Sequence, residues 1–280
     1  HEQHQPCERD DQPLHDARTC PGPSAPVTKQ ALSHRSMVQR EHNFHPTAHA
    51  ICCAPKGAGR TRFEVVVQLS VETHPRLQVS AFIAVWNQPL GAASLPRAQA
   101  MLSAPLGSCE LQAPDDALRA AVRDMLRQRG FKPTGRSKPS SEYLLRASAD
   151  STWKPINAAV DACNAVSLHS GLPISVVDLD KLSEPLSIRS APEGESYVFN
   201  PTGQVITLGG LPCLYDAVGP CANAVKDAQR TKTSERTQRT LSILWSDRNL
   251  EAQMRAALRV YQGLLAEVAQ VSSVELQPLV

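Results

Sequence analysis

The chain has 280 residues and a net charge of +2, with 41% hydrophobic and 20% charged residues. That length allows a sizeable core, as one large domain or two small ones, and the near-neutral balance excludes a bulk polycation. Aromatic residues make up only 4%, which argues against a single-strand binder built from repeated stacking platforms.

No apolar run approaches the length of a membrane span, and the N-terminus lacks the apolar stretch of a signal peptide. The eight Cys form no CxxC pair, and their scatter fits reduced thiols in a cytoplasmic protein.

Residues 1–60 hold seven of the nine His with many Pro, Gln and Arg and no periodicity, the composition of a disordered extension. His42, His45 and His49, followed by Cys52 and Cys53, have spacings that suit zinc. Pro46 interrupts the helix that would align them, so we expect neither a metal nor a cofactor. Order is expected over residues 61–271, with a frayed tail at 272–280.

FEVVVQL (63–69) and RLQVSAFIAVW (76–86) have the β-branched and aromatic character of strands. The second is apolar on both faces, which predicts a central strand covered on both sides. A Pro- and Gly-bearing connection leads to DDALRAAVRDMLRQRG (115–130). This is an amphipathic helix with acidic residues at its start and Gly130 as its stop.

FKPTGRSKPSSEYLLRAS (131–148) carries Lys132, Arg136, Lys138 and Arg146 against Glu142 alone. A basic loop entering a helix N-terminus suits a phosphate; a solvated loop is the plain alternative.

In INAAVDACNAVSLHSG (156–171), Asn157, Asp161 and Asn164 fall at spacings of four and three, on one helical face. Ala159, Cys163 and Val166 project from the other side, which predicts burial there. Short polar side chains suit a fixed site better than a solubilising surface. A Pro-marked turn and the strand ISVVD follow.

LSIRSA, then ESYVFN and QVITLGG around Asn200-Pro201-Thr202-Gly203, predict a β-rich region with a hairpin. From Lys226 to Thr240 five basic residues, including Lys226, Arg230 and Lys232, interleave with Thr231, Thr233, Thr237 and Thr240. That mixture fits a phosphate or sugar surface better than an ordinary solvated face. Thr240–Trp245 reads as a strand, and a helical stripe from Leu250 to Val268 begins at Ser246 or Asp247 as N-cap. GxGxxG after a strand, GxxxxGK[ST], HExxH and GxSxG are all absent.

The order VDxxN, GxPxxxxDxDKL, IRxAxxGE, hairpin, DxxG and basic Thr-rich segment resembles the tRNA-editing domain of the phenylalanyl-tRNA synthetase beta subunit. The matching residues run from Val160, Asp161 and Asn164 through Gly171, Pro173, Asp178 and Asp180. They continue with Arg189, Gly194, Glu195, Asp216 and Gly219. The clear match spans about 130–245; the synthetase's catalytic core and anticodon-binding parts have no counterpart.

The resemblance implies an α+β fold of layered sheets with packed helices. It also implies a pocket that hydrolyses a mischarged aminoacyl-tRNA ester, here in trans. Catalytic roles then fall to Asp161, Asn164 and Asp227, and substrate contacts to Asn157, Ser175, Arg189 and Glu195. Lys132, Arg136, Lys138, Lys226, Arg230, Lys232 and Thr233 would hold the aminoacylated acceptor end of a tRNA, with no DNA or membrane partner. Ser175 stands where the family has a His, and Ile243 where it has a Glu that reads a polar side chain. The alternatives are a non-catalytic tRNA- or RNA-binding module and an amino-acid-binding protein that reuses the pocket.

Overall fold

Strand β1 (Gln68–Val71) and the ten-residue β2 (Leu77–Trp86) open the ordered chain. The computed structural model describes residues 67–149 and 153–279, within the unit Thr61–Val280. The His42–Cys53 cluster, the extension 1–60 and most of FEVVVQL lie outside the described residues.

Helix α1 (Pro96–Ser103) occupies the stretch expected to be a connection. Eight residues burying only Ala98 and Leu102 leave little periodic signal, and Pro at the helix start is the mark that could have revealed it. Helix α2 (Asp116–Arg127) forms as expected, with the Asp115 carboxylate accepting from Leu118 N–H. Helices α3 (Ser140–Ala149) and α4 (Ala158–Ser170) follow.

Next come β3 (Ile174–Asp178), β4 (Leu186–Ser190), the hairpin β5 (Ser196–Val198) and β6 (Val205–Thr207), β7 (Pro212–Asp216) and β8 (Gly219–Asn223). The chain closes with β9 (Arg239–Asp247), α5 (Glu251–Leu265), β10 (Ala269–Ser273) and β11 (Glu275–Pro278).

The strands form a five-stranded sheet β11-β1-β4-β7-β8, an antiparallel four-stranded sheet β10-β2-β9-β3 and the separate hairpin. The fold is α+β. Strand β2 is central, as its two apolar faces predict: Val79, Ala81 and Ile83 pack toward the five-stranded sheet, whereas Phe82, Ala84 and Trp86 pack with the helices. The four-stranded sheet is therefore the middle layer, sealed by apolar residues on both sides.

Two boundaries differ from expectation. Asp247 caps a 3-10 turn, Arg248–Leu250, through Asn249 N–H, so α5 starts at Glu251. The tail does not fray: Gln68–Val71 of β1 pair in parallel register with Glu275–Pro278 of β11. Ladder hydrogen bonds to β1, itself anchored by the buried Leu69, hold a strand whose own side chains are exposed.

Helix α4 is also more buried than one polar face would allow. Eleven of its residues are buried, including Asp161, Ser167 and His169. It ends at Gly171, whose φ of 71° is left-handed and where a Cβ would come 2.5 Å from Pro114 Cβ. Only glycine meets both demands.

Candidate functional site

The turn after β8 organises the site, and Asn223 holds it. Asn223 is buried; its Oδ1 accepts from Val225 N–H at 2.8 Å and Lys226 N–H at 3.0 Å. This is an Asx turn, a local use of the short amide side chain that fixes the backbone beyond the strand. The Asn223 Nδ2 donates to Tyr197 Oη, and that hydroxyl donates to Lys226 carbonyl oxygen. Asn223 carbonyl oxygen accepts from Ser175 Oγ at 3.1 Å, and Asn223 N–H donates to Asp227 Oδ1 at 3.3 Å. One residue thus orients two neighbours of opposite charge, Lys226 and Asp227.

Lys226 faces a cavity of about 590 Å3 lined by Arg136, Tyr143, Phe199, Gln204 and β6. Its ammonium lies 4.2 Å from the Phe199 ring centroid and 5.8 Å from that of Tyr143, within cation–π range of both. Burial lowers its pKa, and the charges of Arg136 and Lys232 lower it further. Lys232 reaches the same region, donating from Nζ to Phe199 carbonyl oxygen at 2.6 Å. None of Arg136, Lys226 and Lys232 forms an ion pair among the described residues. Two cations, Arg136 and Lys226, line a space with aromatic walls and no carboxylate, and the charge of Lys232 acts on it from nearby, so the space attracts anions. The basic loop closes onto the same turn, because Ser140 N–H at the start of α3 donates to Ala224 carbonyl oxygen at 2.9 Å.

Asp227 points the other way, into the gap between β3 and the turn. Its Oδ1 accepts from Ser175 Oγ at 2.7 Å, and Trp245 Nε1 donates to the same Ser175 Oγ at 3.0 Å. The residue is partly open to solvent, while its carboxyl group is packed round by protein. That burial pushes its pKa up to about 6, although Ser175 and the Asn223 amide pull it back. At neutral pH it is an ionised carboxylate with a base's proton affinity. Ser175 is itself buried, and Ile243 lies directly opposite it in the β3–β9 register. The two positions that depart from the family pattern are far apart in sequence yet side by side on one face of the sheet.

Other expected site residues have structural partners instead. Asn157 is the N-cap of α4, its Oδ1 accepting from Val160 N–H and its Nδ2 donating to Thr233 Oγ1 at 3.2 Å. It therefore sits one residue before the helix rather than on the Asp161–Asn164 face, and joins two expected contacts in one hydrogen bond. Asp161 is buried and accepts from Ile156 N–H at 3.0 Å, facing Gln99 of α1. Neither Asp161 nor Asn164 bonds to Asp227 or Ser175, so the three expected catalytic residues do not converge through direct bonds.

Arg189 lies 3.6 Å over the Tyr215 ring, and Tyr215 donates to Glu195 Oε2. This brace crosses β4 and β7, and Arg189 and Glu195 act on Tyr215. Arg230 is bidentate on the buried Asp216 carboxylate at 2.9 and 2.7 Å, leaving its guanidinium little capacity for phosphate. Lys132 is exposed and Lys138 half-buried on the loop, apart from the Arg136–Lys226 cavity.

The threonines of the basic run are mostly consumed internally. Thr231 Oγ1 donates to Cys221 carbonyl oxygen, Thr237 Oγ1 to Asp178 Oδ2, and Thr240 Oγ1 accepts from Trp86 Nε1. All three are buried, so their density reflects the docking of this segment against β8, β3 and β2 rather than a phosphate-facing surface. Sequence reasoning misses Asn223, Trp245, Tyr197, Tyr143 and Phe199. For Asn223, an Asx residue directly after a strand-like run is the signal that could have found it.

The B3/4 domain family model matches residues 128–255, from the end of α2 into α5. That stretch, a little under half of the chain, is similar to B3/4 domains. It contains all of the Asn223 turn, the Lys226 cavity and the Ser175–Asp227 pair.

Among curated relatives, the phenylalanine–tRNA ligase beta subunits of Bartonella henselae (strain Houston 1) and Bartonella quintana (strain Toulouse) are 35% and 33% identical over 108 residues. Those matches cover 37% of this chain and 13% of each relative, so the chain spans a small part of their length. An N-terminal fragment of the Pyrococcus horikoshii phenylalanyl-tRNA synthetase beta subunit aligns with 75% of this chain and 53% of its own, at 15% identity and a TM-score of 0.41.

Among the described residues no helix is long and apolar enough to cross a membrane, and no group of three or more His, Cys, Asp or Glu is placed to hold a metal.

Proposed function

We propose that this B3/4-like region binds tRNA at its aminoacylated acceptor end. The observation that carries this reading is the cavity in which Arg136 and Lys226, backed by Lys232, stand without a carboxylate beside two aromatic rings. Phosphate neutralises such a cluster, and it is the charge that nucleic acid presents most densely. The likeness over 108 residues to beta subunits named as phenylalanine–tRNA ligases adds support for tRNA over DNA. A protein with this role works in the cytoplasm.

The test is binding of unfractionated tRNA by the full chain at low salt. Affinity should fall as salt rises and weaken in Lys226→Ala and Lys232→Ala; undetectable binding at low salt refutes the proposal.

A second reading adds ester hydrolysis in trans, and the observation favouring it is Asp227. A carboxylate packed round by protein in a partly open residue, with pKa about 6 and next to the Ser175 hydroxyl, is suited to take a proton from water attacking an aminoacyl ester. The buried, apolar Ile243 beside Ser175 offers no hydrogen bond to a polar amino-acid side chain, so selection among amino acids would rest on size and apolarity. Deacylation of a panel of misacylated tRNAs above the spontaneous rate, abolished by Asp227→Asn, supports this reading; no activity on any member refutes it and leaves the binding module.

A further inference from the structure

We infer that the cavity between α3 and the β5–β6 hairpin seats one unpaired nucleotide, with its base stacked on Tyr143 and its phosphate held by Lys226 and Arg136. The inference rests on the tRNA-binding reading and names the part of the RNA that this site takes.

The two rings of the cavity are not equivalent. Phe199 already carries the Lys226 ammonium at 4.2 Å from its centroid, and it is partly buried. Tyr143 is 37% exposed, with its ammonium neighbour at 5.8 Å. Its hydroxyl donates to Gly135 carbonyl oxygen at 3.3 Å, which ties the ring to the basic loop and limits its swing. An exposed ring held at the rim of a cationic cavity is a platform for a base.

The charges complete the match. Lys226 is depressed in pKa by burial and by Arg136 and Lys232, so a phosphate that enters relieves repulsion among three cations. Lys232 already donates to Phe199 carbonyl oxygen, and contributes field rather than a direct bond.

A volume of about 590 Å3 lies within the ~300–1,000 Å3 of ordinary ligand sites, enough for a nucleotide and too small for a duplex. Gln204 lines the same space; its Oε1 accepts from Asn200 Nδ2 at 2.8 Å, which fixes the amide with its own nitrogen available to a base edge. Stacking on Tyr143 requires a base that has left its own stack, so paired RNA is a poor ligand.

Fluorescence anisotropy of the full chain with a 5′-labelled single-stranded pentanucleotide, the same strand in a duplex, and intact tRNA tests the assignment. The single strand should bind at least tenfold more tightly than the duplex. Tyr143→Ala should weaken the single strand about tenfold, Tyr143→Phe should keep it, and Lys226→Gln should weaken it with a smaller salt dependence. A thermal melt of each variant establishes that it is folded; Tyr143→Leu, which fills the space without a ring, carries the stacking test if Tyr143→Ala is not. If intact tRNA binds while the duplex equals the single strand, or removing the Tyr143 ring changes nothing, the nucleotide site is overturned and tRNA binding stands. If no RNA binds at low salt, both fall.

Discussion

Replacing Asp227 by Asn should make the protein more stable at pH 8 and leave it unchanged at pH 4. The carboxyl group is lifted from the ordinary aspartate value of 3.8 to about 6 by burial, against the opposing pull of Ser175, the Asn223 amide and Lys232. A lift of that size corresponds to ~3 kcal/mol against the ionised form in the fold. The folded protein holds its proton more tightly than the unfolded chain, so stability is lost as pH rises from about 4 to about 6 and stays level above.

Asparagine keeps an Oδ1 acceptor for Ser175 Oγ and Asn223 N–H and never ionises. The expected gain at pH 8 is therefore up to ~3 kcal/mol, a Tm rise of roughly 6–12 °C for a unit of this size. Urea unfolding of both proteins from pH 4 to pH 8 measures it. A gain equal at both pH values, or a variant less stable at pH 8, refutes the reasoning. If Asp227 is also the base, the stabilised variant is inactive, because burial that raises a carboxylate's proton affinity costs the fold what it lends the chemistry.

Asn223→Ala removes the acceptor for the buried Val225 amide and the part-buried Lys226 amide, and the donor to Tyr197; we expect a loss of ~2–3 kcal/mol in denaturant unfolding and weaker tRNA binding as Lys226 loses its fixed position. Arg230→Ala strands the Asp216 carboxylate, whose side chain is fully buried, and should cost ~3 kcal/mol or more at pH 7. Burial pushes Asp216 up, but Arg230 and the Ser183 and Gly219 amides outweigh it and hold its pKa below the usual value. The wild type therefore loses this contribution as pH falls through the acid range, and the variant shows a shallower acid limb. Gly171→Ala forces a Cβ against Pro114 at a left-handed φ and should destabilise by ~2 kcal/mol or more, read as a lower urea midpoint.

The layers of the fold are legible where the sequence carries a period. The two apolar faces of Leu77–Trp86 announce a central strand, and the stripe Leu118–Val122–Met125 announces α2. Helix α1 is too short to show one, and β11 draws its order from the neighbouring β1 rather than from its own exposed residues.

The site is legible only in part, because a sequence shows donors and acceptors without their partners. Thr231, Thr237 and Thr240 read as a hydroxyl-rich surface, yet each bonds inside the fold. Arg230 reads as free and is paired with Asp216. Helical spacing groups Asn157 with Asp161, but the helix begins after Asn157. Conversely, nothing local links Ser175 to Ile243, or Lys226 to Phe199 and Tyr143; antiparallel register makes the first pair, and docking of the hairpin and α3 on the Asn223 turn makes the second.

The most direct measurement is the salt dependence of tRNA affinity for the wild type and for a variant with Arg136, Lys226 and Lys232 all replaced by Ala. If the cavity takes phosphates, log affinity falls linearly with log salt. The variant's slope is then shallower by at least ~0.7, the contribution of one neutralised single-strand phosphate. An unchanged slope and affinity in the variant, or no tRNA binding at low salt, contradicts the account.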